Sequence, residues 1–302
     1  MQLTGLHLLL TYQCTFECDH CFVWGSPRQS GTMTLADIRH ILAQARSLGG
    51  VEWIYFEGGE PFLYYPVLAR AVEEAAGAGF KVGLVTNAYW ALCVDDAEAW
   101  LRPLAGHVQD LSVSSDLFHY SEKLSRQSQF ASAAARGMAI PTGIIAIGQP
   151  AADGDPARSG QLPDGESGVM YRGRAAVKLA GKAPPLPWSS FTTCPYEELA
   201  APERVHVDPL GNLHVCQGVL VGNLYGQSLA EVCAGYVPGE HPVIGPLLRG
   251  GPGELVRQYG LAHGEGYADA CHLCYEARVA LRERFPAVLG PDQVYGTFEG
   301  SG

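Results

Sequence analysis

The sequence predicts an α/β protein built on a parallel sheet, and three observations carry that prediction. Short apolar runs rich in β-branched and aromatic residues recur along the first half. Segments with helical apolar spacing separate them, and each strand-helix unit takes roughly thirty residues. Parallel strands joined by right-handed crossover helices satisfy this pattern, with the sheet either curled into a barrel or left open.

The elements follow in order. The apolar run at 6–10 is a buried strand that delivers the loop after it at its carboxyl end. Thr34 with Asp37 three residues on forms a capping box that opens a helix. Leu35, Ile38, Ile41, Leu42, Ala45 and Leu48 give this helix one apolar face, and Gly49-Gly50 stops it. Strands are expected at 51–56, 80–86, 108–114 and 140–147, with helices at 65–78, 95–104 and 127–136 between them. Residues 149–168, dense in Gly, Pro, Asp and Ala, read as a surface loop before a last strand near 169–172. From Pro184 onward Pro and Gly rise and the alternation fades, which puts a boundary near 180–195. Beyond it, the turn signal Asp208-Pro-Leu-Gly-Asn212 between two alternating segments predicts a β-hairpin. Residues 237–266, rich in Gly and Pro, are expected to be a loop, long enough to line or cover a channel.

A chain of 302 residues with 47% hydrophobic content has ample material for a core. Its formal net charge of −11 excludes nucleic acid as the main partner, because phosphate neutralisation needs clustered Lys and Arg. No apolar run approaches a membrane span and no signal peptide precedes the first strand, so no membrane partner and a cytoplasmic location are expected. The nine cysteines are then reduced thiols, and their uneven placement points to metal rather than disulfides. Cys14, Cys18 and Cys21 form one group, and Cys194, Cys216, Cys271 and Cys274 a second. Cys93 and Cys233 stand alone and are expected to be small buried residues. The ten histidines show no HxxxH or similar pair, which speaks against a mononuclear hydrolytic zinc site.

Three close thiolates can converge on one metal centre, but a four-iron cube needs four ligands, so one iron would stay open for chemistry. The Cys14-x3-Cys18-x2-Cys21 loop sits at the carboxyl end of the first strand, where parallel α/β sheets bind ligands. At the end of the second strand comes Glu57-Gly58-Gly59-Glu60-Pro61. Its glycines allow close backbone approach, Glu60 adds a carboxylate and Pro61 fixes the turn, a combination suited to a zwitterionic ammonium and carboxylate.

Together these residues resemble the radical S-adenosylmethionine (SAM) superfamily, whose pattern is a CxxxCxΦC loop after strand one and a GGEP segment after strand two. His20 stands at the aromatic Φ position, and Gly58 to Pro61 match GGEP letter for letter. The resemblance implies a partial (β/α)6 TIM-like barrel over residues 1–183, followed by a small hairpin-bearing cluster domain over 184–302. It implies that Cys14, Cys18 and Cys21 ligate a [4Fe–4S] cluster whose open iron is chelated by SAM, held at its amino group by Gly58, Gly59, Glu60 and Pro61. Reductive cleavage of SAM then yields a 5′-deoxyadenosyl radical that abstracts hydrogen from a substrate. A low-potential electron donor is implied as a partner.

Further along the same face, Asn87 closes the third strand, and Ser112, Ser114 and Asp116 are the fourth-strand candidates for the ribose hydroxyls. Arg172, in Arg172-Gly173-Arg174-Ala175, resembles a segment that contacts adenosine or the SAM carboxylate in many members. The second cysteine group, set around a Gly-x4-Cys hairpin and a Cys271-x2-Cys274 pair, resembles the SPASM and shorter twitch extensions that bind auxiliary [4Fe–4S] clusters. Four cysteines match one twitch-like cluster with a full protein ligand set; structural zinc is the alternative for such a site. Glu57, His119, Tyr120 and Cys93 lie near strand ends as candidates to face a substrate. The substrate class stays open between a small molecule and a peptide. The first strand begins too early to leave room for a leader-binding domain, which disfavours a self-contained peptide modifier and allows a separate carrier. The competing reading from another class is a non-catalytic iron–sulfur or zinc protein serving structure or partner docking.

Overall fold

The strand β1 (Gly5–Thr11) is buried along nearly its whole length, as a continuous apolar run must be at the centre of a parallel sheet. The structure, a computed structural model, describes residues 1–150 and 166–297. On one side β1 pairs in parallel with β2 (Trp53–Gly58), followed in order by β3 (Lys81–Thr86), β4 (Val108–Ser114), β5 (Thr142–Ile147) and the two-residue β6 (Glu166–Ser167). The helices α1 (Leu35–Leu48), α2 (Tyr65–Gly77), α3 (Val94–Leu101) and α4 (Arg126–Gly137) make the crossovers between the first five strands. The α/β expectation is borne out. Six parallel strands in sequential order fit a partial (β/α)6 barrel.

The capping box of α1 forms as expected: Asp37 N–H donates to Thr34 Oγ1, and the Asp37 carboxylate accepts from Thr34 N–H. The last strand is displaced. The last strand lies at 166–167 rather than 169–172 because Tyr171 N–H donates to the Asp269 carboxylate at 3.2 Å, leaving no ladder to join. This turn leads into α5 (Arg174–Lys178). Most of the stretch read as a loop at 149–168, namely 151–165, lies outside the described residues.

The second half begins with the short strand β7 (Leu186–Pro187). The expected hairpin is present as β8 (Arg204–Val207) and β9 (Asn212–Cys216), extended by β10 (Val219–Asn223). It joins the main sheet: β8 pairs in parallel with β1 on the edge away from β2, and β9 and β10 continue antiparallel. Asp208 locks this junction. Its carboxylate accepts from Leu210 and Asn212 N–H at the turn, from Tyr12 Oη at 3.0 Å, and bonds His214 at 3.0 Å, with Asp208, Tyr12 and His214 themselves fully buried. Burial alone would raise its pKa, but His214 and the Asn212 donors override that and hold it below the usual carboxylate range. A depressed carboxylate stabilises the fold above its unfolded pKa, and this contribution disappears as pH falls through the folded value. Asp208→Ala is expected to cost about 2–3 kcal/mol, because it orphans buried donors. Urea unfolding at pH 7 checks this, and the variant should also lose part of the acid sensitivity of the parent.

After β10 come α6 (Leu229–Ala234), α7 (Ile244–Tyr259), β11 (Gly266–Tyr267), which pairs with β7, and α8 (Ala270–Leu281). Thus 237–266 is not a loop. Ile244, Leu247, Leu255 and Val256 are buried at helical spacing, and the glycines and Pro252 that suggested a loop instead make a kink at Gly250–Gly251. Past the kink, Gly253 N–H donates to Phe191 O at 3.0 Å, tying the helix to the segment that carries Cys194. Among the described residues no helix is long and apolar enough to cross a membrane.

Candidate active site

The carboxyl ends of β1 to β4 open onto one cavity of about 490 Å³. Cys14, Cys18 and Cys21 line it together with Gly58, Gly59 and Asn87, so two motifs that lie well apart in the sequence meet in one place. The meeting is enforced by backbone. Gly59 N–H donates to Thr11 O at 2.7 Å and Glu60 N–H to Gln13 O at 2.8 Å. A Cβ on Gly59 would stand 2.1 Å from Gln13 O, and one on Gly58, at φ 139°, 2.4 Å from Thr11 O. Only glycine permits so close an approach. The two glycines therefore hold the end of β2 against the chain that enters the cysteine loop.

Glu60 plays a different part from the one its motif suggested. Its side chain is fully buried and accepts from Phe62 N–H at 3.0 Å, Thr86 Oγ1 at 2.9 Å and Asn87 N–H at 2.8 Å. Burial pushes its pKa up to about 7 against the pull of these donors. The carboxylate thus stitches β2 to β3 and starts the 3₁₀ turn at Pro61–Tyr64, in which Pro61 is buried. It is not a free acceptor for an ammonium. Asn87 Nδ2 reaches Thr15 Oγ1 at 3.0 Å and Cys14 Sγ at 3.6 Å, beside the first cysteine.

On β4, Ser112 and Ser114 line the cavity, and Ser112 donates to Asp110 at 3.1 Å. Asp116 lines the cavity beside them, and its oxygens are engaged within the protein. One carboxylate oxygen accepts from Phe118 N–H, His119 N–H and bonds His119 Nδ1 at 2.8 Å, while the other accepts from Ile147 N–H and faces His20 at 3.6 Å. Burial alone would raise Asp116, yet His119 and His20 hold it far below the usual range, so it braces the loop after β4 against β5 and the cysteine loop. Of the substrate-facing candidates, Glu57 and His119 line the cavity. Tyr120 instead donates to Asn87 O at 2.6 Å. Cys93 is exposed rather than buried and caps α3 through Asp96 N–H, whereas Cys233 is buried as expected.

The thiol set suits a metal cluster. Burial, Glu60 and the neighbouring thiols push Cys14 up to about 12, and burial with Cys21 and Cys14 pushes Cys18 higher still. Such crowded thiols ionise only against a cationic metal centre. Backbone amides already point at sulfur, Gly25 N–H to Cys21 Sγ at 3.1 Å and Phe16 N–H to Cys14 Sγ at 3.5 Å.

The second cysteine group also converges. Cys194, Cys216, Cys271 and Cys274 line one enclosed pocket with Arg172 and Arg278, both buried. Arg172 borders both cavities: in this pocket its Nη1 donates to Glu197 at 2.6 Å and to Cys216 Sγ at 3.3 Å, while the residue also lines the cavity of the first cysteine loop. Its Nε is buried with no partner, and burial pushes Cys274 up to about 12. Four thiolates gathered between two guanidinium groups fit an anionic cluster of net negative charge.

One residue escaped sequence reading. Arg174, buried, clamps the first cysteine loop with Nη1 to Cys18 O and Nη2 to Gly25 O, both at 2.8 Å, and stacks over Trp24. Gly173, at φ 59°, lets the chain press on Cys21 O, where an added Cβ would stand 2.7 Å away. One short turn thus supplies Arg174 to the first cysteine loop and Arg172 to the second cysteine group and the first cavity. The signal was the Arg-Gly-Arg spelling, from which only Arg172 drew notice.

Comparison with known proteins agrees with this geometry. Residues 8–126 match the radical SAM superfamily. The chain is 27% identical over 111 residues to the peptide biosynthesis protein YydG of Bacillus subtilis (strain 168), covering 36% of this chain and 35% of that one. It is 33% identical over 82 residues to an S-adenosylmethionine-dependent nucleotide dehydratase of Selenomonas ruminantium, covering 27% and 29%. The chain thus spans about a third of the length of the curated relatives it matches. In fold it is similar to the crystal structure of BtrN in complex with AdoMet and 2-DOIA, with a TM-score of 0.52 at 16% identity, covering 77% of this chain and 82% of that one. The superfamily match spans the Cys14–Cys21 loop and the Gly58–Pro61 segment, and it favours an enzyme over the non-catalytic alternative. The superfamily implies SAM and a [4Fe–4S] cluster as cofactors.

Proposed function

We propose that this protein reductively cleaves SAM at a [4Fe–4S] cluster and uses the resulting radical to take hydrogen from a polar small molecule or a peptide. The observation that carries this reading is the convergence of Cys14, Cys18 and Cys21 with Gly58 and Gly59 on one cavity at the carboxyl ends of parallel strands. Cys14, Cys18 and Cys21 hold the cluster. When bound, that cluster supplies the electron that breaks the sulfonium bond of SAM.

The chain's own residues then position and exclude. Backbone carbonyls at Gly58 and Gly59, together with Asn87, receive the methionine end, while Glu60 and Pro61 keep that segment in place. Ser112 and Ser114 offer hydroxyls to the ribose. Residues 1–183 form the core that does this, and 184–302 form a cluster-binding part sharing its sheet. Within that part Cys194, Cys216, Cys271 and Cys274 hold an auxiliary [4Fe–4S] cluster of the SPASM/twitch kind, and Arg172 and Arg278 offset its charge. A low-potential electron donor completes the system. Relatives named for peptide biosynthesis and for nucleotide dehydration support keeping both substrate classes.

Anaerobic reconstitution is expected to yield about eight irons per chain, four per cluster, and 5′-deoxyadenosine on addition of SAM and dithionite. Replacing Cys14, Cys18 and Cys21 together with Ala should halve the iron and abolish SAM cleavage. Cleavage that persists in this variant refutes the assignment.

A further inference from the structure

We propose that His7, Glu57 and His206 form a divalent-metal site in the wall of the cavity, separate from both cysteine groups. His7 Nδ1 lies 3.1 Å from Glu57 Oε2, and His206 Nε2 lies 3.2 Å from Glu57 Oε1. The three candidate ligand atoms all fall within 4.8 Å of one another. Two ligands about 2.05 Å from a zinc ion at a tetrahedral angle stand about 3.3 Å apart, so the observed spacings already suit such a metal. Two imidazoles and one carboxylate are a borderline donor set, chosen by Zn²⁺, Fe²⁺ or Mn²⁺ rather than by Mg²⁺ or a thiophilic ion.

The sheet itself builds this arrangement. β8, β1 and β2 are adjacent, His7 is the register partner of both His206 and Tyr55, and Glu57 follows Tyr55 by one strand period. All three side chains therefore project from the same face of three rigid strands. The ring of His7 stacks on Tyr55 at 4.7 Å with a 6° interplanar angle, which limits its rotation. His7 and Glu57 line the same cavity as the cysteine loop, with Asp110 and Arg204 nearby, so a bound ion would turn its open positions toward that space. Oxygen or nitrogen atoms of a molecule in the cavity are the ligands it would take there. No two of these three residues lie close in the sequence, so the absence of an HxxxH pair does not bear on them.

The site stands independently of the radical reading. Its test uses the cluster-loaded protein, equilibrated anaerobically with zinc sulfate and passed through a desalting column. Metal analysis should find about one zinc per chain in addition to the iron, with X-ray absorption showing a shell of nitrogen and oxygen near 2.0–2.1 Å and no sulfur near 2.3 Å. His206→Gln and Glu57→Gln should each weaken zinc binding at least about tenfold with iron content unchanged. Zinc absent from the parent protein, sulfur in its shell, or unchanged affinity in a normally loaded His206→Gln overturns the proposal. Should either variant lose its iron, the absorption shell of the parent alone decides.

Discussion

Gly59→Ala is expected to destabilise the protein by about 3 kcal/mol or more and to abolish SAM cleavage. The new Cβ would meet Gln13 O at 2.1 Å, Gln13 C at 2.5 Å and Tyr12 O at 2.7 Å, all of them backbone atoms that no side-chain rotation relieves. Overpacking of this kind typically costs 1–3 kcal/mol, and a clash with backbone that cannot rotate away belongs at or above the upper end. The melting temperature should fall by roughly 6–12 °C. The functional loss is larger, because the chain pushed aside leads directly into Cys14, and a misplacement near 1 Å at a reacting centre costs about a hundredfold. Gly77→Ala is the control: a Cβ there meets nothing within 4 Å, so stability should hold. Thermal unfolding and 5′-deoxyadenosine yield measure the two effects. A Gly59→Ala protein with parental melting temperature and turnover would show that the β1–β2 approach is not what builds the site.

Arg174→Ala is expected to empty the first metal site while sparing the second. The substitution removes two charge-assisted hydrogen bonds to Cys18 O and Gly25 O and leaves both carbonyls without their donor. At about 1.5–3 kcal/mol for each such bond, the loss is about 3–6 kcal/mol, concentrated in the loop that presents Cys14, Cys18 and Cys21. Stacking over Trp24 is lost as well, and Trp24 in turn donates to Tyr275 Oη at 3.1 Å, so the loop loosens from α8. Iron after reconstitution should fall from about eight to about four per chain, with the remaining cluster on the four-cysteine set. Arg174→Lys, with one point charge in place of a planar fork, should recover part of the iron. Full loading of Arg174→Ala would rule out the clamp.

The legible part of this fold was the part governed by local periodicity. β4 appears at the range its apolar pattern indicates, and α1 begins at Thr34 because capping is a contact three residues long. Misreadings came where tertiary contacts outvote composition. Gly250, Gly251 and Pro252 spell a loop, but buried Leu247, Leu255 and Val256 anchor a kinked helix around them. Tyr171 sits in a sequence with strand character, yet its N–H is claimed by Asp269, ninety-eight positions away.

The candidate site divides in the same manner. Cysteine spacing and the Gly-Gly-Glu-Pro segment are short patterns whose chemistry can be stated from residue types alone, so the motif residues of the first centre were named from them. What each side chain does was not so available. Glu60 and Asp116 carry the charges that suggested ligand contacts, but both spend their oxygens on backbone and side-chain donors, because a buried carboxylate must be satisfied wherever it sits. Arg172 was found to border the second cysteine group as well as the first cavity, and Arg174 emerged as the clamp, since only packing decides which way two neighbouring guanidinium groups point.

By itself, then, the sequence determined a parallel α/β architecture, two groups of cysteines and a motif for a cofactor at the strand ends, because each is written in contacts between near neighbours or in residue chemistry. The tertiary structure alone decided that the second-half hairpin extends the same sheet through β8, that one Arg-Gly-Arg turn serves both cysteine groups, and that His7, Glu57 and His206 meet. These depend on strand order and register, which long-range pairing sets and no local pattern encodes.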